Sequence, residues 1–358
     1  DRPFFLYLAF GACHSPHQPP ERWREHYRGR FDKGWDAWRR ETFERQVALG
    51  LLPATTILSE RPSWVRAWDA LDDGERNVAA RFMECFAGFL SHADEQLGRL
   101  LAFLEVIDER ENTVVVVVSD NGASAEGGSE GSLNDVRLTN LDPADNDEMV
   151  RRIDEIGGPL THNNYPWGWT MAGNTPFRRW KREVHEGGVA DPCIIAWPRG
   201  ALAEGQIRHQ FTHAIDILPT LIELTGTALP AHVDGVAQSS IDGTSFEYLL
   251  DVDGADEAER HETQYFEMFG SRAIYHQGWK AVTFHPVGPL YDDQDPNASF
   301  DDDVWELYRV ADDVTETNDL AGAYPDVLET LIELWWREAE KNEVLPLDNR
   351  VLWALTHP

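Results

Sequence analysis

Apolar and polar positions change period several times along this chain, and each change predicts an element. Pro3-Phe4-Phe5-Leu6-Tyr7-Leu8-Ala9-Phe10 is a continuous apolar run, the pattern of a buried strand. It ends at Gly11 and runs into Ala12–Pro20, where prolines rule out a continuing ladder. Charged amphipathic stretches predict helices over Glu21–Tyr27 and Trp35–Leu49, and the proline-bearing segment Leu51–Asp73 reads as irregular. From about Glu75 to Ile107, Phe82, Phe86, Phe89, Ala93, Leu97, Leu100 and Leu104 form one apolar stripe of a long helix, a face that packs on a core. Val114–Val118 then gives five valines in a row. They cannot alternate faces, so they predict a central strand buried on both sides, the habit of a parallel sheet covered by helices.

The polar, glycine-rich stretch Ala123–Gly158 is long for a structureless loop and reads as a functional excursion or local disorder. An aromatic patch, Tyr165–Trp169, precedes Asn174–Lys181, the most basic stretch of the chain. His185-Glu186-Gly187-Gly188 leads into a strand over Cys193–Trp197, and a helix follows near Ile215–Leu224. Past about Asp251 the texture changes. Short alternating strands, Ala273–Tyr275, Lys280–Phe284 and Trp305–Tyr308, are followed by a helix over Pro325–Lys341. The expected fold class is α/β: a mostly parallel central sheet flanked by helices in residues 1–255, and a small antiparallel α+β subdomain in 256–358.

Lys and Arg number 31 against 63 Asp and Glu, a net charge of −32 over 358 residues. Such a surface excludes nucleic acid, whose phosphates demand a basic face, and disfavours heavily sulfated polyanions, so it favours a small substrate. With 42% hydrophobic and 11% aromatic residues the chain has material for a core and is no acidic disordered tail. No apolar run is long enough to cross a bilayer. The cysteines Cys13, Cys85 and Cys193 are too few, and odd in number, for a disulfide scaffold.

Ligands of open α/β sheets bind beyond the carboxyl ends of the strands, and polar clusters stand at such places here. His14 and His17 follow the first strand, Asp120 and Asn121 follow the valines, and Lys181 precedes the third strand. Asp120-Asn121 offers two hard oxygen ligands for calcium or magnesium, though Asp-Asn-Gly is equally a plain turn. His17 is a candidate proton donor and Lys181 a point charge for an anionic substrate; a loop histidine and a surface lysine are the plain alternatives. His185, His213 and Asp216 read as hydrogen-bonded structural groups near a helix start. Trp167 and Trp169 are candidates for a substrate entrance or for core.

Taken in order, these segments resemble the sulfatase family, in particular the large arylsulfatases of the alkaline-phosphatase superfamily. Phe4–Phe10 with Ser15-Pro16-His17 is similar to the family's strand and sulfate-site histidine, and Ser119-Asp120-Asn121-Gly122 to its calcium motif. Lys181 followed by His185-Glu186-Gly187-Gly188 resembles Lys-x-x-x-(Tyr/His)-Glu-Gly-Gly, whose lysine touches the sulfate. Asp216-Ile217-Leu218-Pro219-Thr220, Trp305–Tyr308 and Thr317-Asn318-Asp319-Leu320 match further signatures. The resemblance implies an alkaline-phosphatase-like fold and hydrolysis of a sulfate ester through calcium and a formylglycine, whose hydrated form attacks sulfur and then expels sulfate. It implies Asp120 and Asn121 as metal ligands, with Lys181 and His17 on the sulfate and the leaving oxygen. None of the three cysteines opens the formylglycine motif Cys-x-Pro-x-Arg, and the family's first calcium aspartates are absent. The expectation is therefore a C-terminal portion whose nucleophile lies upstream of Asp1. A phosphonate or phosphate ester hydrolase of the same superfamily and an inactive binding module of this fold are the alternatives.

Overall fold

The computed structural model describes residues 3–136, 145–200, 205–285 and 298–348; Asp1 and the middle of the glycine-rich stretch lie outside the described residues. Helices α1 (Glu21–His26), α2 (Gly34–Ala48) and α3 (Asp73–Val106) open the larger unit. α3 begins with a reciprocal cap: the Asp72 carboxylate accepts from the Glu75 N–H, and the Glu75 carboxylate from the Asp72 N–H, each at 2.8 Å. Val78, Phe82 and Cys85 of its first half face a core built around Phe31, Trp35, Trp68 and Trp169. Trp35, Trp68 and Trp169 meet edge to face, at centroid distances of 4.8 to 5.9 Å. Trp169 lies on the short helix α5 (Trp167–Gly173), which follows α4 (Asn146–Arg151). Its indole N–H donates to the Ala79 carbonyl of α3 at 2.8 Å. Trp167 and Trp169 are both core residues.

The valine strand β1 (Val115–Val118) pairs antiparallel with β2 (Cys193–Ala196), which follows the four-residue helix α6 (Glu186–Val189). The register runs from Val115↔Ala196 to Val118↔Cys193. This pairing is antiparallel, and parallel neighbours of β1 are not among the described residues. Burial on both faces is not observed either: Val118 is 48% and Ile194 63% exposed. The run Pro3–Phe10 forms no strand, and Phe5 and Tyr7 are each 82% exposed. A strand needs a neighbour's edge as well as apolar side chains, and among the described residues this run has none. Helix α7 (Ile217–Thr225) and a two-residue hairpin, β3 (His232–Val233) with β4 (Val236–Ala237), complete this part.

The C-terminal strands β5 (Thr263–Met268), β6 (Ser271–His276), β7 (Trp279–Thr283) and β8 (Trp305–Tyr308) form an antiparallel meander in that order. Alternation gives the sheet two apolar faces. Ile274, Ala281 and Leu307 pack on Leu331, Trp335 and Ala339 of helix α8 (Pro325–Lys341). Ala273, Val282 and Tyr308 point the other way and meet Val184. The sheet is thereby set against the loop that carries Lys181. Among the described residues no helix is long and apolar enough to cross a membrane.

Candidate active site

Two loops meet past the β1–β2 ladder, and backbone hydrogen bonds join them. Ser119 N–H donates to the Pro192 carbonyl at 3.3 Å, Gly122 N–H to Gly188 at 3.2 Å, and Lys181 N–H to Ala123 at 3.1 Å. The Asn174 amide bridges them further, accepting from Ala123 N–H at 2.9 Å and donating to the carbonyls of Arg179 and Gly187. A Cβ at Gly122 would overlap the Gly187 carbonyl, so glycine is what lets the two backbones approach. This stapling is how Asp120-Asn121 and Lys181, far apart in sequence, come to one place.

Lys181 Nζ lies 3.1 Å from Glu126 Oε1 and 3.5 Å from His14 Nε2. His14 Nδ1–H donates to the Ser15 carbonyl at 2.9 Å, which leaves Nε2 with its lone pair toward the lysine. From there the contacts close a circuit. The Ser15 hydroxyl donates to Asp135, Asn164 Nδ2 donates to Asp135 at 3.5 Å and to Ser124 at 3.4 Å, and the Ser124 hydroxyl donates to Glu126. His162 joins at Asp135 at 2.6 Å, and Arg182 at Glu126 at 3.0 Å. Burial works to raise the Glu126 carboxyl, but Ser124, Arg182 and Lys181 together outweigh it and hold the group below its ordinary range.

His17 is not part of this circuit. It is 1% exposed, stacked on Tyr165 at 5.1 Å and edge-on to Phe86 at 5.2 Å. Burial lowers its pKa to about 3, so it stays neutral. Of the two neighbouring histidines it is the exposed His14 that faces Lys181. Glu126, Ser124, Asp135, Asn164 and His162 were not singled out by sequence reasoning; they sit among many similar polar residues, and only the tertiary fold selects them.

Asp120 is exposed and makes no hydrogen bond among the described residues, and the Asn121 side chain spends only an amide N–H, on the Gly122 carbonyl at 3.0 Å. Burial, followed by the charge of Asp120, pushes the Asp191 carboxyl up to about 6, so these two carboxyls are neighbours. Two uncommitted hard oxygens side by side fit one side of a calcium shell. They do not complete it: among the described residues no three His, Cys, Asp or Glu side chains are grouped to hold a metal.

The C-terminal sheet grips the same loop. Lys280 Nζ of β7 lies 2.6 Å from Glu186 and 3.2 Å from Glu316, and the Glu186 N–H donates to Glu316 at 2.8 Å. His185 Nε2 meets Glu306 of β8 at 3.0 Å, and Arg178 donates to Tyr308 at 2.7 Å. Burial lowers the His185 pKa to about 3. His185 is therefore a structural group, as its place before a helix suggested. Asp216 is one too: it accepts from the backbone of His213 at 2.8 Å and of Thr244 at 2.7 Å, and pairs with His261.

Residues 1–227, more than half of the chain, match the family model described as Sulfatase. The chain belongs to the sulfatase family. With that come the α/β class and the alkaline-phosphatase-like fold, completed by the four-stranded antiparallel C-terminal sheet. An uncharacterized sulfatase of Schizosaccharomyces pombe is 31% identical over 354 residues, covering 97% of this chain and 60% of the relative. An arylsulfatase of Klebsiella aerogenes is 26% identical over 227 residues, covering 63% of this chain and 47% of the relative. The chain thus spans about half to three-fifths of the length of these relatives. Among solved structures, a putative sulfatase of Bacteroides fragilis superposes with a TM-score of 0.47 at 14% identity, covering 95% of this chain and 53% of that one.

Proposed function

We propose that this chain is part of a hydrolase of small sulfate esters, with Lys181 and His14 on the transferred sulfate. Family membership supports the reaction class, and the convergence of Lys181 and His14 on one loop junction beside Asp120-Asn121 carries the reading. Lys181 offers a fixed cation to a sulfate oxygen as charge moves onto the leaving group. Glu126 neutralises it while the site is free and holds Nζ in place. His14, exposed beside it, contacts the sulfate and, when protonated at Nε2, gives that proton to the leaving oxygen. This reading puts His14 where the resemblance implied His17. Asp120 and Asn121 would hold calcium in part, and such an ion polarises sulfate oxygens. The nucleophile of this reading is a formylglycine supplied from outside these residues, because neither Cys13, Cys85 nor Cys193 opens the required motif.

The test is hydrolysis of 4-nitrophenyl sulfate by the complete polypeptide, with and without calcium. Lys181→Ala and His14→Ala should each lower kcat/KM by roughly 100-fold or more, and His17→Phe should not. Activity that survives His14→Ala and dies with His17→Phe overturns the assignment. Faster turnover of a phosphonate monoester favours the phosphonate hydrolase, and turnover of neither ester favours the binding module.

A further inference from the structure

A cavity of about 440 Å³ lies between Thr55-Thr56, in the irregular segment after α2, and the C-terminal sheet at Trp279, Arg309, Asn318 and Tyr324. None of these residues belongs to the circuit around Lys181. The volume falls in the range of small-molecule sites, on the order of 300–1,000 Å³. What its walls offer is uneven. Trp279 and Tyr324 meet at 5.3 Å and give an apolar corner. The Arg309 guanidinium lies over the Trp279 ring at 5.2 Å, with its Nε buried and without a hydrogen bond. Its nearest carboxylate, Asp312, stands 3.9 Å away and is 81% exposed, a weak partner. The hydroxyls of Thr55, Thr56 and Tyr324 and the Asn318 amide likewise have no hydrogen-bond partner among the described residues.

The other carboxylate in the wall is already spent. Asp313 accepts from the hydroxyls of Thr315 and Thr317 at 3.0 and 3.1 Å, and from the N–H groups of Thr317 and Asn318 at 2.9 and 2.8 Å. The cavity is therefore rich in free donors, above all the five N–H of one arginine, on a molecule whose net charge is −32. A guanidinium without hydrogen bonds, held flat by an indole, suits two oxygens of one planar or tetrahedral anion. An aromatic corner flanked by hydroxyls and an amide suits a ring with one apolar face and hydroxylated edges. The acidity of the rest of the surface repels a polyanion, so one charge per ligand fits best.

We propose that this cavity binds a single sugar ring bearing one sulfate or carboxylate group, its anionic oxygens on Arg309 and its apolar face on Trp279 and Tyr324. The inference goes beyond the reading of the Lys181 site and does not depend on it. Isothermal titration of the chain with glucose 6-sulfate, glucuronate and glucose tests it. Saturable binding of an anionic sugar is expected, with glucose roughly tenfold weaker or worse. Arg309→Gln, at a side chain 41% exposed, should bring the anionic sugars down to the level of glucose. Asn318→Ala should weaken them several-fold. Equal binding of glucose, or no saturable binding at all, overturns the proposal. So does a signal lost in Lys181→Ala and kept in Arg309→Gln, which would put the sugar at the loop junction and leave the sulfatase reading standing.

Discussion

Lys280→Met keeps the length of a buried side chain and removes its charge. In the wild type Nζ sits 2.6 Å from Glu186 and 3.2 Å from Glu316, and the Glu316 side chain is fully buried. The variant leaves two carboxylates facing one another in the interior. Removing one partner of a buried ion pair costs about 3–5 kcal/mol. The cost should depend on pH, and the sign follows from Glu316. Burial, opposed by Lys280 and reinforced by Glu186, pushes this carboxyl up to about 7. Without the lysine it rises further. An unfolded glutamate titrates near ~4.3, so between there and the folded value the native state holds the extra proton and stability falls as pH rises. In the wild type that fall is complete once Glu316 ionises against Lys280; in the variant it continues to higher pH. The loss on mutation should therefore be smaller at about pH 5.5, where only Glu186 loses a charged partner, and reach about 3–5 kcal/mol at about pH 8. Urea unfolding of both proteins at the two pH values measures it. Hydrogen exchange at the Glu186 amide, which donates to Glu316 at 2.8 Å, shows whether the loop loosens with the ion pair. An equal loss at both pH values, or a loss under about 1 kcal/mol at the higher one, refutes the argument.

Two further outcomes follow from the packing. His17, with a folded pKa of about 3, contributes stability that is whole above its unfolded pKa near ~6.5 and is lost as pH falls toward 3. His17→Phe, set between Tyr165 and Phe86, should cost less than about 1.5 kcal/mol at neutral pH and give a shallower acid unfolding limb. An acid limb as steep as the wild type's contradicts this. Gly122→Ala drives a methyl into the Gly187 carbonyl and should lower stability by about 1–3 kcal/mol, whereas Gly173→Ala, on an exposed helical position whose nearest atom is 3.8 Å away, should be neutral or gain up to about 1 kcal/mol. Thermal melts of the pair decide, and equal effects would mean that the two loops are not held backbone to backbone.

Helices α2, α3 and α8 and strand β8 fall within two residues of where periodicity puts them, because their stripes and caps are local properties. The Pro3–Phe10 run forms no strand, and the valine strand forms but is not buried on both faces. Their composition reports a preference for burial, and burial requires a neighbour that local sequence does not name. Strand β5 was missed because Thr263-Gln264-Tyr265-Phe266-Glu267-Met268 alternates poorly, its residues being half-buried on both faces. At the candidate site, Lys181 and Asp120-Asn121 stand in ordered motifs that the sequence displays. Which of His14 and His17 faces the lysine is not legible there. Both follow the same apolar run, and only the course of the Ala12–Pro20 loop turns one into the aromatic core and the other toward Lys181.

The C-terminal sheet carries the last consequence. Alternation along β7 and β8 puts Lys280, Val282, Glu306 and Tyr308 on the face away from α8, and a lone two-layer subdomain would leave that face in water. Charged residues on it look like ordinary solvated side chains. Lys280 is nevertheless fully buried, because the face is covered by the loop running from Arg178 to Gly188. The charges there are matched across the contact, Lys280 to Glu186 and Glu316 and Glu306 to Arg178, and neutral His185 adds a hydrogen bond to Glu306. Partners this far apart in the chain leave no mark in any sequence window, so the pairing is legible only in the fold. It also means that Lys181 and Glu186 ride on one loop, fixed at one end by the β1 junction through Gly122 and at the other by the sheet through Lys280. A change in either support moves the lysine relative to His14. The subdomain is for that reason part of the site's architecture, although none of its residues enters the circuit around Lys181.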